Sequence, residues 1–309
     1  MNGGRVAVLG GTGWVGRHVC AAFAREGREV VVAARAPAPH TAAHRFHRVD
    51  LATAGADDVA RLLRCEDIGL IVNATDAANA RDGWAGGAAR MAAVNVDAVH
   101  AVVAAAARAP RRPRLVHLGT LHEYGPRPPG TAVDEDTEPR PANDYARSKL
   151  AGSLAVLEAA RSGAVDGLVL RLANVCGPHP SPVSFPGLLL RLFRAAAAGE
   201  RPELRVARAR RDFVDVADTA EAVLLAGLSP PAPGRVLNIG GGRAVPIAEM
   251  VDLMAEVTGV PRGAFREGPA PAGGIGGDWS LADTRRAERV LGWRARTGVR
   301  ASLHAMWTA

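Results

Sequence analysis

Tyr145 and Lys149 stand four residues apart in Tyr145-Ala-Arg-Ser-Lys149, and a helix brings residues at that spacing onto one face. A phenol so placed can give a proton to a carbonyl oxygen or take one from a hydroxyl. Its ordinary pKa of about 10 is too high for that work at neutral pH, and a neighbouring ammonium lowers it by favouring the phenolate. Composition singles the pair out. Lys149 is the only lysine among 38 Lys and Arg residues, Tyr145 is one of two tyrosines, and glutamine is absent. In a chain that writes nearly every cation as arginine, a retained lysine marks a place where a compact ammonium is needed.

A second group of residues suits an anion. Val6-Ala-Val-Leu-Gly10-Gly11-Thr12-Gly13-Trp14-Val15-Gly16 puts glycines at 10, 13 and 16, after a strand pattern and before a helical one. Such glycines allow a tight turn, close approach of backbone to ligand and close helix–strand packing, and the helix N-terminus then faces a pyrophosphate. The ligand implied is a dinucleotide. The next strand pattern, Glu29-Val-Val-Val-Ala-Ala34-Arg35, ends without the carboxylate that holds the ribose hydroxyls of NAD. Arg35 instead offers a fork for a 2′-phosphate, so NADP(H) is expected ahead of NAD(H).

The elements that must position these residues alternate along the first two-thirds of the chain. Strand patterns at Val6–Leu9, Glu29–Ala33, His44–Val49, Leu70–Asn73, Arg114–Leu118 and Gly167–Leu172 are separated by helical patterns near Trp14–Arg25, Asp57–Arg64, Ala89–Ala107 and Asp144–Arg161. Alternation of this kind predicts an α/β fold, a doubly wound parallel sheet with helices on both faces. The last third is punctuated by Pro and Gly at Pro178–Pro186, Ser229–Gly234 and Gly268–Gly277, and is expected to be a smaller, irregular part. The division expected is a dinucleotide-binding domain over 1–172, with part of 211–240 returning to it, and a substrate-binding part over 173–309.

Bulk properties exclude other classes. With 309 residues, 48% hydrophobic and 22% charged, the chain can bury a full core and is not disordered. Every apolar run is broken short of about 18 residues, so no membrane span is expected. No basic-then-apolar export signal precedes Arg5, and three cysteines far apart suggest neither a disulfide framework nor a metal site, which together read as a cytoplasmic protein. The net charge of +7 rests on clusters such as Arg111-Arg112-Pro113-Arg114 without interleaved aromatics, so no nucleic-acid partner is expected.

The glycine turn combined with Tyr145-x-x-x-Lys149 resembles the extended short-chain dehydrogenase/reductases, the nucleotide-sugar epimerase/dehydratase group with a Rossmann domain. The resemblance runs through Val49-Asp50-Leu51, Asn73-Ala74-Thr75, Asn95-Val96, Gly119-Thr120-Leu121-His122-Glu123-Tyr124-Gly125, Arg171-Leu-Ala-Asn174-Val-Cys-Gly177-Pro178, Arg211-Asp212-Phe213-Val214-Asp215, Leu237-Asn238-Ile239-Gly240 and Leu291-Gly292-Trp293. It implies a cofactor site built from Gly10, Thr12, Gly13, Trp14, Val15, Gly16, Arg35, Asp50, Leu51, Asn73, Ala74, Thr75, Asn95, Tyr145, Lys149 and Ala173. Thr120, Tyr145 and Lys149 are then the catalytic set, with Thr120, Asn174 and Arg211 toward the substrate. Arg211 could instead pair with Asp212 or Asp215. The family also implies a homodimer.

Two departures narrow the expected reaction. Where the group's 4,6-dehydratases carry an acidic pair after the Thr, this chain has Leu121 and His122, and leucine cannot carry a proton. Arg35 points to NADP(H), whereas the group's 4-epimerases hold NAD. The expected activity is NADP(H)-dependent reduction of a keto-sugar nucleotide, of the 4-ketoreductase type used for deoxysugars. The alternatives are an NAD-dependent nucleotide-sugar epimerase and a reductase of a non-sugar carbonyl.

Overall fold

In a computed structural model of the chain, which describes residues 4–77, 87–230, 233–270 and 277–309, the apolar runs pair as one seven-stranded sheet. Its strands are β1 (Arg5–Leu9), β2 (Val30–Ala34), β3 (Arg45–Arg48), β4 (Ile68–Asn73), β5 (Arg114–Thr120), β6 (Asp166–Leu172) and β10 (Val236–Ile239). Every pairing is parallel, in the order β10-β6-β5-β4-β1-β2-β3. β2, β4 and β5 are buried at every position, as a parallel sheet covered on both faces requires.

The two faces are separate cores. On one lie α1 (Trp14–Arg25), α7 (Val216–Leu228) and α9 (Arg285–Leu291), with Phe23 and Trp293 fully buried. On the other, α2 (Ala56–Cys65), α4 (Ala98–Arg108) and α5 (Asp144–Arg161) bury Leu62, Val102 and Val156. The strand order reverses between β1 and β4, and the crevice at the carboxyl ends of those two strands is where such sheets take ligands.

Three features differ from the sequence expectation. The helical pattern Ala89–Ala107 is not one helix: α3 (Ala88–Ala92) passes through a π-helical stretch, Ala93–Asp97, before α4. The seventh strand, β10, pairs with β6 although residues 236–239 carried no separate strand expectation. The last third is also more regular than its Pro and Gly suggested. It holds β7 (Asn174–Cys176), β9 (Arg210–Asp215) and β11 (Ala244–Pro246) in one small sheet, and β8 (Glu203–Leu204) with β12 (Arg266–Glu267) in another. These pack with α6 (Phe185–Ala197), α8 (Ile247–Thr258) and α10 (Val299–Thr308) around a third core. Pro and Gly mark element ends there, as at Ser184-Phe-Pro186, where Ser184 Oγ caps α6, and Gly259, which ends α8 at φ +72°. Of the loops expected at 229–234 and 268–277, residues 231–232 and 271–276 lie outside the described residues.

The helical run Ala88–Arg108 is long and apolar enough, by length and composition, to cross a membrane. Its apolar side, with Val99, Val102, Ala105 and Ala106, is buried in the core shared with α2 and α5.

Candidate active site

The glycine turn has the shape a dinucleotide needs. Gly10 leaves β1 at φ +78°, which favours glycine, and a Cβ on Gly16 would stand 2.2 Å from the Gly10 carbonyl oxygen. Only bare backbone fits there. Helix α1 starts from Gly13 with no side-chain cap and no acidic residue in its first turn, so its first N–H groups remain available to an anion. Thr12 is half-buried within the turn, and Val15 packs into the core. Trp14 reaches across instead: its Nε1 donates to the Pro178 carbonyl at 2.9 Å, tying the turn to the segment after β7.

The other expected cofactor residues divide into two sets. Asn73 and Asn95 are buried, and both are engaged within the protein. Asn73 Oδ1 accepts from the Thr75 backbone N–H at 3.2 Å and from Thr75 Oγ1 at 2.6 Å, while its Nδ2 meets His117 Nδ1 at 3.1 Å. Asn95, turned inward by the π-helical stretch, accepts from the Ala77 N–H at 3.1 Å and donates to Ser148 Oγ at 3.0 Å. Ala74 and Ala173 are fixed by backbone bonds to Leu9 and Ile239. Arg35 and Asp50 are exposed, Arg35 directly after β2 and Asp50 holding the Ala52 N–H, while Leu51 is buried in the core.

Thr120, Tyr145 and Lys149 come together at the carboxyl end of β5. α5 starts at Asp144 because Asn143 Oδ1 accepts the Ala146 N–H at 2.8 Å, so Tyr145 occupies its first turn and Lys149 the next. Lys149 is 3% exposed, and its Nζ donates to the Leu118 carbonyl at 2.7 Å. Tyr145 is 7% exposed; it hydrogen-bonds to Thr120, and its hydroxyl donates to Asp76 Oδ2 at 3.2 Å. Burial, and then the Asp76 charge and hydrogen bond, push the phenol well above the ordinary tyrosine range; Glu123 adds to the rise and Thr120 opposes it. This differs from the expectation of a phenol lowered by Lys149, because no local pattern linked Asp76 to Tyr145, 69 positions away.

On the substrate side, Leu121, His122, Leu172, Ala173 and Asn174 line a common recess with Gly125 and Ser280. The His122 ring lies edge-on to Tyr145, with centroids 6.3 Å apart. Burial, and then the Arg211 charge, push its pKa down to about 4, so the ring is neutral at physiological pH. Asn174 Nδ2 donates to the Asp212 carbonyl at 3.1 Å, and Arg211 donates to the carbonyls of Arg210 and Gly277. Asp212 and Asp215 are held by other groups. Asp212 accepts N–H bonds from Gly241, Gly242 and Ala282, and burial raises its pKa to about 6. Asp215 accepts from Ala217 N–H and Ser302 Oγ.

Sequence reasoning missed two carboxylates. Asp76 bonds the phenol, and Glu123 lies beneath Thr120, accepting its backbone N–H at 2.9 Å. Glu123 stood inside a motif, where Thr120-x-x-Glu123 has the spacing of a capping box, and Asp76 directly after one; Arg171 and Tyr145, the partners that give them their roles, are distant in sequence. Among the described residues, no group of three or more His, Cys, Asp or Glu is placed to hold a metal ion.

With this geometry established, residues 6–240 match the model of the NAD dependent epimerase/dehydratase family. The chain is 38% identical to the dTDP-6-deoxy-L-talose 4-dehydrogenase (NAD(P)(+)) of Kitasatospora kifunensis, over 99% of this chain and 95% of that one. It is 31% identical to MoeE5, solved in complex with UDP-glucuronic acid and NAD, with a TM-score of 0.86 and 99% of both chains covered. The UDP-glucose 4-epimerase of Thermus thermophilus, solved with NAD, is 25% identical, with a TM-score of 0.86 and 98% of both chains covered.

Proposed function

The chain belongs to the NAD dependent epimerase/dehydratase family, an NAD(P)-dependent oxidoreductase of the extended short-chain dehydrogenase/reductase type, and from that premise we propose that it reduces a keto-sugar nucleotide with NADPH, at C4 of a deoxyhexose. The observation that carries this reading is the buried Tyr145 hydroxyl, hydrogen-bonded to Thr120 and Asp76 one helical turn from Lys149, beside a glycine turn that a Cβ would fill. The Kitasatospora relative is by name a 4-dehydrogenase of a dTDP-deoxysugar. Oxidation of an alcohol at C4 and reduction of the ketone there are one reaction run in opposite senses.

The nicotinamide, when bound, supplies the hydride. Tyr145 gives its proton to the carbonyl oxygen, and Thr120 donates a hydrogen bond to the same oxygen, where negative charge grows. Lys149 stabilises the phenolate that Tyr145 becomes, its ammonium anchored on the Leu118 carbonyl. Asn174 and Arg211 face the sugar and its diphosphate. Leu121 carries no proton to a C6 hydroxyl, and His122, neutral near pH 7, is not the protonated acid that the departing hydroxyl would need. NADPH is read from Ala34 and Arg35 at the end of β2, where no carboxylate repels a 2′-phosphate. A homodimer is part of the proposal, and Leu154 of α5, 46% exposed, is an apolar side chain that such a contact would cover.

A second reading, a redox-neutral 4-epimerase, is favoured by the epimerase relative solved with NAD. One assay separates them: the enzyme is mixed with NADPH and a nucleotide-linked 4-keto-6-deoxyhexose. Stoichiometric loss of reduced nicotinamide is expected. Stereochemical inversion of an unoxidised nucleotide sugar, with no nicotinamide consumed, would make the protein an epimerase.

A further inference from the structure

We infer that Asp76 is a positioning residue for Tyr145: its carboxylate holds the phenol's proton and sets the pH up to which Tyr145 stays loaded as an acid. The inference rests on the reductase reading, and it concerns a residue outside the Thr-Tyr-Lys set.

The geometry is a clamp built by two buried asparagines. On one side of Asp76, Thr75 is bound through its N–H and hydroxyl to Asn73 Oδ1. On the other side, the Ala77 N–H donates to Asn95 Oδ1. Asn95 Nδ2 in turn donates to Ser148 Oγ, which donates to the Tyr145 carbonyl at 2.8 Å. The same asparagine therefore fixes the segment carrying Asp76 and the helical turn carrying Tyr145. Ala77, Met91, Val94 and Tyr145 pack as one apolar cluster around this link. One flank of Asp76 is thus pinned to β4 and the other, through Asn95 and Ser148, to the helix that bears Tyr145.

Among the charges around the phenol, Asp76 is the carboxylate hydrogen-bonded to it. Glu123 faces Tyr145 from the turn after β5, but it is paired with Arg171 at 2.7 Å. His122, from the same turn, is neutral near pH 7. Lys149, on the same helix, is bonded to the Leu118 carbonyl, and Asp76, three residues after β4, opposes the phenolate through a direct hydrogen bond. A carboxylate in contact disfavours a second negative charge by about 1–3 pH units, and the exposure of Asp76 to water puts the effect near the lower end. The equilibrium between ketone and alcohol is untouched. What moves is the pH at which reduction begins to fail and at which Tyr145 first becomes available as a base.

The test uses the fact that the chain has two tyrosines. Phenolate absorbance is titrated in the wild type, Asp76→Asn, Asp76→Glu and Tyr145→Phe, and the Tyr145→Phe curve isolates the Tyr145 signal. Asp76→Asn is expected to ionise Tyr145 about one pH unit lower, with Asp76→Glu restoring the wild-type midpoint. The alkaline limb of NADPH-dependent ketone reduction should move down by the same amount. An Asp76→Asn midpoint equal to the wild type overturns the inference. A shifted midpoint in a protein that consumes no NADPH with any keto-sugar nucleotide upholds the Asp76–Tyr145 coupling and overturns the reductase reading instead.

Discussion

Glu123 Oε2 lies 2.7 Å from Arg171 Nε, and both side chains are sealed from water at 0% and 3% exposure. The other oxygen of Glu123 accepts from the Thr120 N–H and from Ser153 Oγ, while the Arg171 guanidinium sits 4.5 Å over the Tyr124 ring. One carboxylate, on the turn after β5, thus joins β5, β6 and α5. A buried charge of this kind is tolerated because both carboxylate oxygens find donors.

Removing either partner leaves the other charge buried alone. Glu123→Ala and Arg171→Met are each expected to cost about 3–5 kcal/mol, lowering the thermal midpoint by roughly 10 °C. The double variant Glu123→Leu/Arg171→Met should lose less than the sum of the two. Scanning calorimetry checks this, and single variants that melt like the wild type would contradict it.

Tyr145→Phe and Lys149→Ala are each expected to lose about 10²–10⁴-fold in turnover while keeping the wild-type circular dichroism spectrum. Retention of more than a tenth of the rate in either folded variant would remove that residue from the catalytic set.

Arg35→Ala should weaken NADPH by about ten- to a hundredfold, the worth of a charge-assisted contact, and leave NADH almost unchanged, because the pyrophosphate still meets the Gly10–Gly16 turn. Calorimetric titration of both cofactors decides it. Equal wild-type affinities, or NAD retained through purification, would favour the epimerase.

No dehydration is expected from Leu121 and His122. A TDP- or GDP-hexose incubated with enzyme and oxidised cofactor should yield no 4-keto-6-deoxy product by mass spectrometry, and its appearance would refute the assignment of those two positions.

Stability should depend on pH through two opposed groups. His122 is pushed from 6.5 down to about 4, so the unfolded chain takes its proton first and stability falls as the pH drops through that window. Asp212 is raised from 3.8 to about 6, so there the folded chain takes the proton first and stability rises as the pH drops from about 6 toward 4. His122→Gln deletes the first contribution and keeps the second. Its melting temperature should therefore gain on the wild type between about pH 7 and pH 4.5, and parallel curves would show that His122 carries no such penalty.

What could be read in the sequence was whatever announces itself locally. The helix Asp144–Arg161 was legible at both ends because Asn143 caps it and Ser162-Gly163 closes it. The π-helical stretch was not, since an extra residue in a turn leaves the alanine-rich apolar pattern of 88–108 nearly unchanged. β10 is only four residues long and is a sheet strand by virtue of β6, its partner. Tyr145 and Lys149 stood out through rarity and spacing. Asp76 and Glu123 are ordinary acidic residues until the fold brings them to partners 69 and 48 positions away.

The lateness of β10 has a consequence for how the protein is made. β6 carries Leu168, Val169 and Leu170, all buried, and its outer edge is closed by residues 236–239. About 60 further residues must leave the ribosome before that edge finds its partner, some 3–12 s at ordinary elongation rates of roughly 5–20 residues per second. During that interval the growing chain displays an unpaired apolar strand edge able to template intermolecular pairing. Nascent chains that have completed β6 but not β10 therefore expose that edge, and slower translation across residues 173–236 lengthens the exposure.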